Sequence, residues 1–190
     1  MLSKEFLEMR EDEVYILMAV ARKKFNPLSR STEIVWREVI RKVENYDRKY
    51  EKIVSMIKSR PDMKFYLYLS ANPRNCTNAL YTTTKRLIDY MAQPNERIKK
   101  IDAVWMSELM KEYNRSSHTK RWIIDCDTKS IDKVVKLSDD IKKVTNLLYT
   151  QETKNGYHFI ISPCDIRKIN LPDYCELKRD GLVYMDSFNF

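Results

Sequence analysis

Two aspartates separated by one residue end an apolar run and carry the clearest sign of chemistry in this sequence. The run reads RWIIDCD over 121–127 and predicts a strand, and residues i and i+2 of a strand project from the same face. Asp125 and Asp127 therefore present two neighbouring carboxylates. Close carboxylates repel unless a cation lies between them, and such oxygen ligands suit Mg²⁺ or Mn²⁺. The ordinary alternative is a solvated strand end at which Asp127 caps the next helix.

His158 is one of only two histidines, and it closely follows Gly156, one of only two glycines. It lies on a predicted strand, 156–162, after the turn formed by Lys154, Asn155 and Gly156. A neutral imidazole binds phosphate or a metal ion, and Lys154 with the backbone N–H groups of the turn adds donors for an anion. The alternative is a plain hairpin turn followed by a histidine that is satisfied within the sheet.

A third acid is expected if the first two bind metal for phosphoryl transfer. Glu176 and Lys178 share one face of the predicted strand 173–178, whereas Asp186 lies near the C-terminus, where fraying works against ligation. We therefore favour Glu176 and keep Asp186 as the alternative, with Lys178 as a phosphate ligand. Arg74 follows a proline turn beside a helix N-terminus, where its planar fork suits phosphate. Its alternative is an ordinary surface arginine.

The elements that position these residues follow from apolar periodicity and from proline, asparagine and glycine signals. Helices are expected at 3–25, 32–59, about 77–90, about 101–114 and 129–142, and strands at 64–71, 121–127, 146–151, 156–162, 173–178 and 182–188. The Asp180-Gly181 pair between the last two strands predicts a hairpin. The fold class is α+β, a mostly antiparallel sheet with helices packed on it. Residues 1–60 form an N-terminal helical extension, and residues 61–190 form the core domain.

Composition narrows the function classes. Of 190 residues, 43% are hydrophobic and 33% are charged, which describes a globular chain. No apolar run approaches the roughly 20 residues of a membrane span, and the acidic N-terminus lacks a secretion signal, so a cytoplasmic location is expected. The net charge of +8 fits a polyanionic partner such as nucleic acid. The four cysteines show no C-x-x-C spacing, which predicts reduced core thiols and no zinc site.

The order of these motifs resembles the archaeo-eukaryotic primase superfamily, which includes the primase-polymerases. IIDCD (123–127), GYH (156–158), and CE (175–176) or MD (185–186) occupy the family's three slots. These slots are a hydrophobic strand ending in paired acids, a small residue two positions before histidine, and a hydrophobic residue before an acid. TKNGYHFIISP also resembles small phage- and archaea-type proteins of that group. Gly156 stands where the family usually has serine.

The resemblance implies a primase-polymerase core of RRM-like type and a metal-dependent nucleotidyltransferase. Asp125, Asp127 and Glu176 would bind Mg²⁺ or Mn²⁺, and His158 would contact the phosphates of the incoming nucleotide. Its partners would be nucleoside triphosphates, nucleic acid and proteins of a replication complex, in the host cytoplasm if the protein is viral. Two alternatives stay open: a non-catalytic nucleic-acid-binding accessory protein of a virus or archaeon, and a metal-dependent nuclease using the same carboxylates.

Overall fold

The computed structural model describes residues 4–26, 33–92 and 96–189. Within them the chain forms two antiparallel sheets with α-helices packed against them, which confirms the α+β class. The strands are β1 (Glu13–Arg22), β2 (Glu33–Ile40), β3 (Phe65–Ser70), β4 (Arg74–Asn75), β5 (Trp122–Cys126), β6 (Leu147–Glu152), β7 (Tyr157–Ile161), β8 (Cys175–Lys178) and β9 (Leu182–Phe188). The helices are α1 (Tyr46–Lys58), α2 (Cys76–Ala92), α3 (Ile101–Leu109) and α4 (Ile131–Val144). No helix in the described ranges is long and apolar enough to cross a membrane.

The first sheet has the order β2-β1-β3-β9, and β4 pairs with the start of β1. The predicted N-terminal helical extension is wrong, because 13–22 and 33–40 are strands and only α1 of that region is an α-helix. Positions 3 and 32, where the two helices were expected to begin, lie outside the described residues. β1 is covered on both faces, so its residues form one apolar run without the alternation that marks a half-buried strand.

The second sheet has the order β6-β7-β5-β8 and is built by the chain sequence β5-α4-β6-β7-β8. This is a split βαβ arrangement in which the first and third strands are central. One face packs on α4 through Leu137 and Ile141. On the opposite face, Ile123 belongs to the same apolar cluster as Val183 and Met185 of β9. The second sheet is therefore held between α4 and the first sheet.

The expected reduced state of all four cysteines is wrong for one pair. Cys126 and Cys175 are direct partners in the β5–β8 ladder, with 4.1 Å between their Cα atoms, and they form a disulfide. Cys76 and Cys164 are free. Spacing along the chain could not reveal the pair, because 49 residues separate two cysteines that only strand pairing brings together.

The hairpin predicted at Asp180-Gly181 is also wrong. β8 pairs with β5 in the second sheet, whereas β9 pairs with β3 in the first, so the dipeptide carries the chain from one sheet to the other. Gly181 has φ +157°, a conformation that favours glycine. The hairpin predicted at 154–156 is confirmed, since β6 and β7 pair on either side of it.

A buried polar network holds this crossover. Arg74 is 1% exposed, and its Nη1 donates to Asp180 Oδ2 over 2.6 Å. Asn72 Nδ2 donates to the other oxygen of Asp180 and to the carbonyl of Arg121, and the Arg121 N–H donates back to Asn72 Oδ1. Arg74 thus serves as the charge partner of a buried carboxylate where the two sheets meet.

Asp180→Ala should lower the free energy of unfolding by about 3–5 kcal/mol, because it leaves the guanidinium of Arg74 buried without its counter-charge. Denaturant unfolding measures this loss. Asp165→Ala is the matched control: it removes an ion pair to Arg167 whose side chains are 37% and 87% exposed, so the loss of stability should be far smaller. Equal losses in the two variants would contradict the structural role of the buried pair.

Candidate functional site

Three residues from three separate stretches meet in one row across the second sheet. Asp125 on β5 is the direct partner of His158 on β7 and of Glu176 on β8, and Gln151 on β6 extends the row beyond His158. Direct partners in antiparallel strands point to the same face, so their side chains are neighbours. Asp125, His158 and Glu176, three of the predicted site residues, therefore lie side by side on one sheet.

Asp125 is the centre of this row. Its Oδ2 accepts a hydrogen bond from Lys178 Nζ over 2.5 Å, and its Oδ1 lies 3.3 Å from His158 Nε2. The contact with His158, followed by that with Lys178, lowers the pKa of the Asp125 carboxyl to about 2, although burial opposes the change. Burial lowers the pKa of Lys178, but the hydrogen bond to Asp125 and the charge of Asp125 outweigh burial, so the pKa of Lys178 is raised. Both groups are therefore charged at neutral pH.

The orientation of His158 is fixed from the first sheet. The backbone N–H of Tyr184, on β9, donates to His158 Nδ1 over 3.4 Å. An Nδ1 that accepts carries no proton, so Nε2 carries it and faces Asp125. The imidazole therefore bridges the backbone of β9 and the Asp125 carboxylate.

The row opens into a cavity of about 440 Å³ between the two sheets, here called the inter-sheet cleft. It is lined by Arg22, Lys24, Phe25, Tyr66, Tyr68, Asp125, Asp127, Thr153, Lys154, Asn155, His158, Lys178, Gly181, Leu182 and Tyr184. Four cations face two carboxylates, and four aromatic rings form part of the wall. Sequence reasoning missed the contribution of the first sheet, because Arg22, Lys24 and Phe25 fell within a predicted helix. Tyrosine alternates with leucine along FYLYLS (65–70), which places Tyr66 and Tyr68 on the same face of a strand. This pattern was the sequence signal that could have identified the two tyrosines as site residues.

Lys154 is positioned by the aromatic wall. Its Nζ lies 4.1 Å from the ring centre of Phe25 and 5.9 Å from that of Tyr66, within the range of cation–π attraction. The Phe25 and Tyr66 rings are themselves 4.9 Å apart. The ammonium is thus held at the edge of the cleft without a carboxylate partner among the described residues.

Tyr66 carries an unusual polar atom. The residue is only 3% exposed, and its hydroxyl has no hydrogen-bond partner within the described part of the chain. A buried hydroxyl without a partner costs free energy, so such an atom in a cleft wall points to a ligand. No sequence pattern indicated that the hydroxyl of Tyr66 would lack a hydrogen-bond partner.

Gly156 brings the Lys154 loop against the end of β5. A Cβ atom at this position would lie 1.9 Å from the carbonyl oxygen of Cys126 and 2.7 Å from the backbone nitrogen of Thr128. Both obstacles are backbone atoms, which cannot move aside cheaply. Position 156 therefore requires glycine, because no side chain fits there.

The other predicted site residues are dispersed. Asp127 follows the last residue of β5 and borders the cleft with Asn155. Glu176 lies on β8, at the edge of the second sheet, and its side chain is 73% exposed. Asp186 does not line the cleft in the described structure, and its Oδ1 accepts from the backbone N–H of Ser187. Arg74 is buried against Asp180, away from the cleft.

The acids do not fit a shared divalent cation as they are arranged. Lys178 Nζ lies 2.5 Å from Asp125 Oδ2 and 3.3 Å from Glu176 Oε2, so an ammonium already bridges two of the three expected ligands. Among the described residues, no group of three or more His, Cys, Asp or Glu side chains is placed to hold a metal ion. The cleft therefore presents mainly cationic side chains, and its Asp125 carboxylate is held by Lys178 and His158.

Searches of protein-family models, of curated proteins and of solved structures find no match to this chain.

Gly156→Ala should destabilise the protein by about 1–3 kcal/mol, the usual range for overpacking, because its methyl group overlaps the Cys126 carbonyl. Chemical unfolding measures the loss. Asn155→Ala, in the same turn but exposed, is the control and should change stability by less than about 0.5 kcal/mol. If the two variants were equally stable, the close approach of the loop to β5 would be refuted.

Asp125→Asn should change how stability depends on pH. A carboxyl whose pKa falls from 3.8 to about 2 on folding stabilises the protein above pH 4, and this contribution is lost as the pH falls through 2. The difference in unfolding free energy between the parent and Asp125→Asn should shrink by about 2 kcal/mol between pH 5 and 2. Urea unfolding at several pH values measures it, and a constant difference would contradict the ion pair.

Proposed function

We propose that the inter-sheet cleft binds the phosphates of a nucleotide and that the protein acts on nucleotides or nucleic acid. The observation that carries the proposal is the cleft itself, where a wall of aromatic rings holds the Lys154 ammonium and includes Tyr66 with its unpartnered hydroxyl. Lys154, Arg22 and Lys24 supply positive charge for phosphates. The rings offer faces on which a base can stack. Nucleotides combine these two features.

The net charge of the chain supports a polyanionic partner, since Lys and Arg number 35 against 27 Asp and Glu. A cytoplasmic location, where nucleoside triphosphates are found, belongs to the same proposal. The Cys126–Cys175 disulfide restricts this location. Stable disulfides are rare in the cytosol of mesophiles, whereas they are common inside hyperthermophilic archaea.

A second candidate function is metal-dependent nucleotidyl transfer of primase-polymerase type. The specific observation in its favour is that Asp125, His158 and Glu176 lie in one row in the motif order of that superfamily. The Lys178 bridge counts against it, because the carboxylates lack a position for Mg²⁺ or Mn²⁺ in this arrangement. Phosphate binding is therefore favoured over nucleotidyl transfer.

Lys154→Gln should weaken the binding of a nucleoside triphosphate about tenfold, the loss of one charge-assisted hydrogen bond. Isothermal titration without a divalent cation gives the affinity. Lys129→Gln is the control: Lys129 lies just beyond the end of β5 and outside the cleft, in a 3.8 Å ion pair with Glu152. A parent protein that binds no nucleotide, or equal affinities in the two variants, would refute the proposal.

Tyr66→Phe separates a ligand contact from a structural role. It removes only the unpartnered hydroxyl, so the unfolding free energy should stay equal or rise while nucleotide affinity falls. Unchanged affinity would show that this hydroxyl does not contact the ligand.

The second candidate is tested by incubating the protein with Mn²⁺, labelled nucleic acid and nucleoside triphosphates. Extension that disappears in Asp125→Asn supports nucleotidyl transfer, and cleavage that disappears in that variant supports the nuclease alternative. Binding without either reaction leaves the first proposal standing alone.

A further inference from the structure

A second cleft lies at the other end of the β6–β7 hairpin from the Lys154 loop. Its cavity measures about 630 Å³, and it is here called the Arg121 cleft. The segment 8–10 forms one wall, the segment 118–121 forms another, and Leu148 with Ser162 closes the side at the start of β6 and the end of β7. It shares no lining residue with the inter-sheet cleft.

Arg121 is a buried cation held in a fixed orientation. The residue is 7% exposed, its Nη1 donates to Tyr15 Oη over 2.7 Å, and its guanidinium lies 4.1 Å above the ring of Phe6. Its carboxylate neighbour is Glu8, at 3.8 Å from Nη2, and the Glu8 side chain is 79% exposed. A buried guanidinium usually has a close counter-charge, and in the described part of the chain Arg121 has only this distant, solvated one.

The rest of the lining adds positive charge. Arg10 and Lys120 both border the cavity and are exposed, and no side-chain partner for either is seen in the described residues. Three permanent cations therefore face one carboxylate. His118, the second histidine of the chain, lies beside them.

We propose that the Arg121 cleft binds phosphates of a nucleic-acid strand, at a site separate from the inter-sheet cleft. A pre-oriented guanidinium flanked by exposed cations is an arrangement that recognises phosphate oxygens. The cleft lacks the aromatic wall of the other site, so it holds the backbone and not a base. The six residues of β6 separate the two clefts by about 17–20 Å, more than the phosphates of one nucleotide span. A strand reaches this site, whereas a nucleoside triphosphate bound near His158 does not.

The test compares two doubly neutralised variants with equal net charge. Arg10→Gln/Lys120→Gln removes the two exposed cations of the cleft and leaves the structural Arg121 in place. Lys136→Gln/Lys142→Gln removes two exposed lysines of α4 and serves as the matched control. The probe is an oligothymidylate of about twelve nucleotides, long enough to span both clefts at 3.4 Å of rise per nucleotide. Fluorescence anisotropy over a salt series gives the affinity.

In the cleft variant, the plot of log K against log salt should be shallower than in the parent. The magnitude of its negative slope should fall by about 1.4, which is the counterion release of two phosphate contacts on a single strand. The ratio of the parent's affinity to that of the cleft variant should therefore be roughly 25-fold larger at 0.1 M than at 1 M salt. Its affinity for a nucleoside triphosphate should match that of the parent, which separates failure here from failure of the proposed function. Equal slopes in the cleft and control variants would overturn the assignment. It would also be overturned if the cleft variant lost affinity for inorganic pyrophosphate but not for the oligonucleotide.

Discussion

The carboxylate of Asp125, held between Lys178 and His158, is the interaction on which the arrangement of the two sheets around the cleft depends. A carboxylate between packed layers is costly unless charges and donors surround it. Here each partner comes from a different element: Lys178 from the edge strand β8, His158 from β7, and through His158 the backbone of Tyr184 on β9. The same contacts fix the second sheet against the first and set the charge of the cleft.

This constraint also explains the character of the site. The Asp125 carboxylate is already neutralised by an ammonium, so the free positive charge of the cleft lies at Lys154, Arg22 and Lys24. A cleft whose spare charges are cationic and whose walls are aromatic attracts a phosphorylated aromatic ligand more readily than a lone metal ion. Lys178 therefore decides which of the two candidate functions the geometry favours.

The second sheet and its row of polar residues could be predicted because their signals are local. Strand β5 ends in acids, the 154–156 turn fixes the β6–β7 hairpin, and period-two geometry places Asp125 on one face. In the first sheet, β3 and β9 were predicted as strands. β1 could not be predicted, because it is buried on both faces and its apolar run reads equally well as a helix. Because this region was predicted as a helix, Arg22 and Phe25 were not recognised as cleft residues. The Cys126–Cys175 pair and the burial of Arg74 could not be predicted either, because they depend on contacts across 49 and 106 residues.

A crystal structure of the protein with a non-hydrolysable nucleoside triphosphate tests the central claim most directly. The account predicts phosphate oxygens within about 2.7–3.2 Å of Lys154 Nζ, with the base against the aromatic wall formed by Phe25, Tyr66 and Tyr68. It also predicts that the Tyr66 hydroxyl gains a hydrogen bond. A nucleotide bound elsewhere on the protein, with the inter-sheet cleft unchanged, would contradict the account.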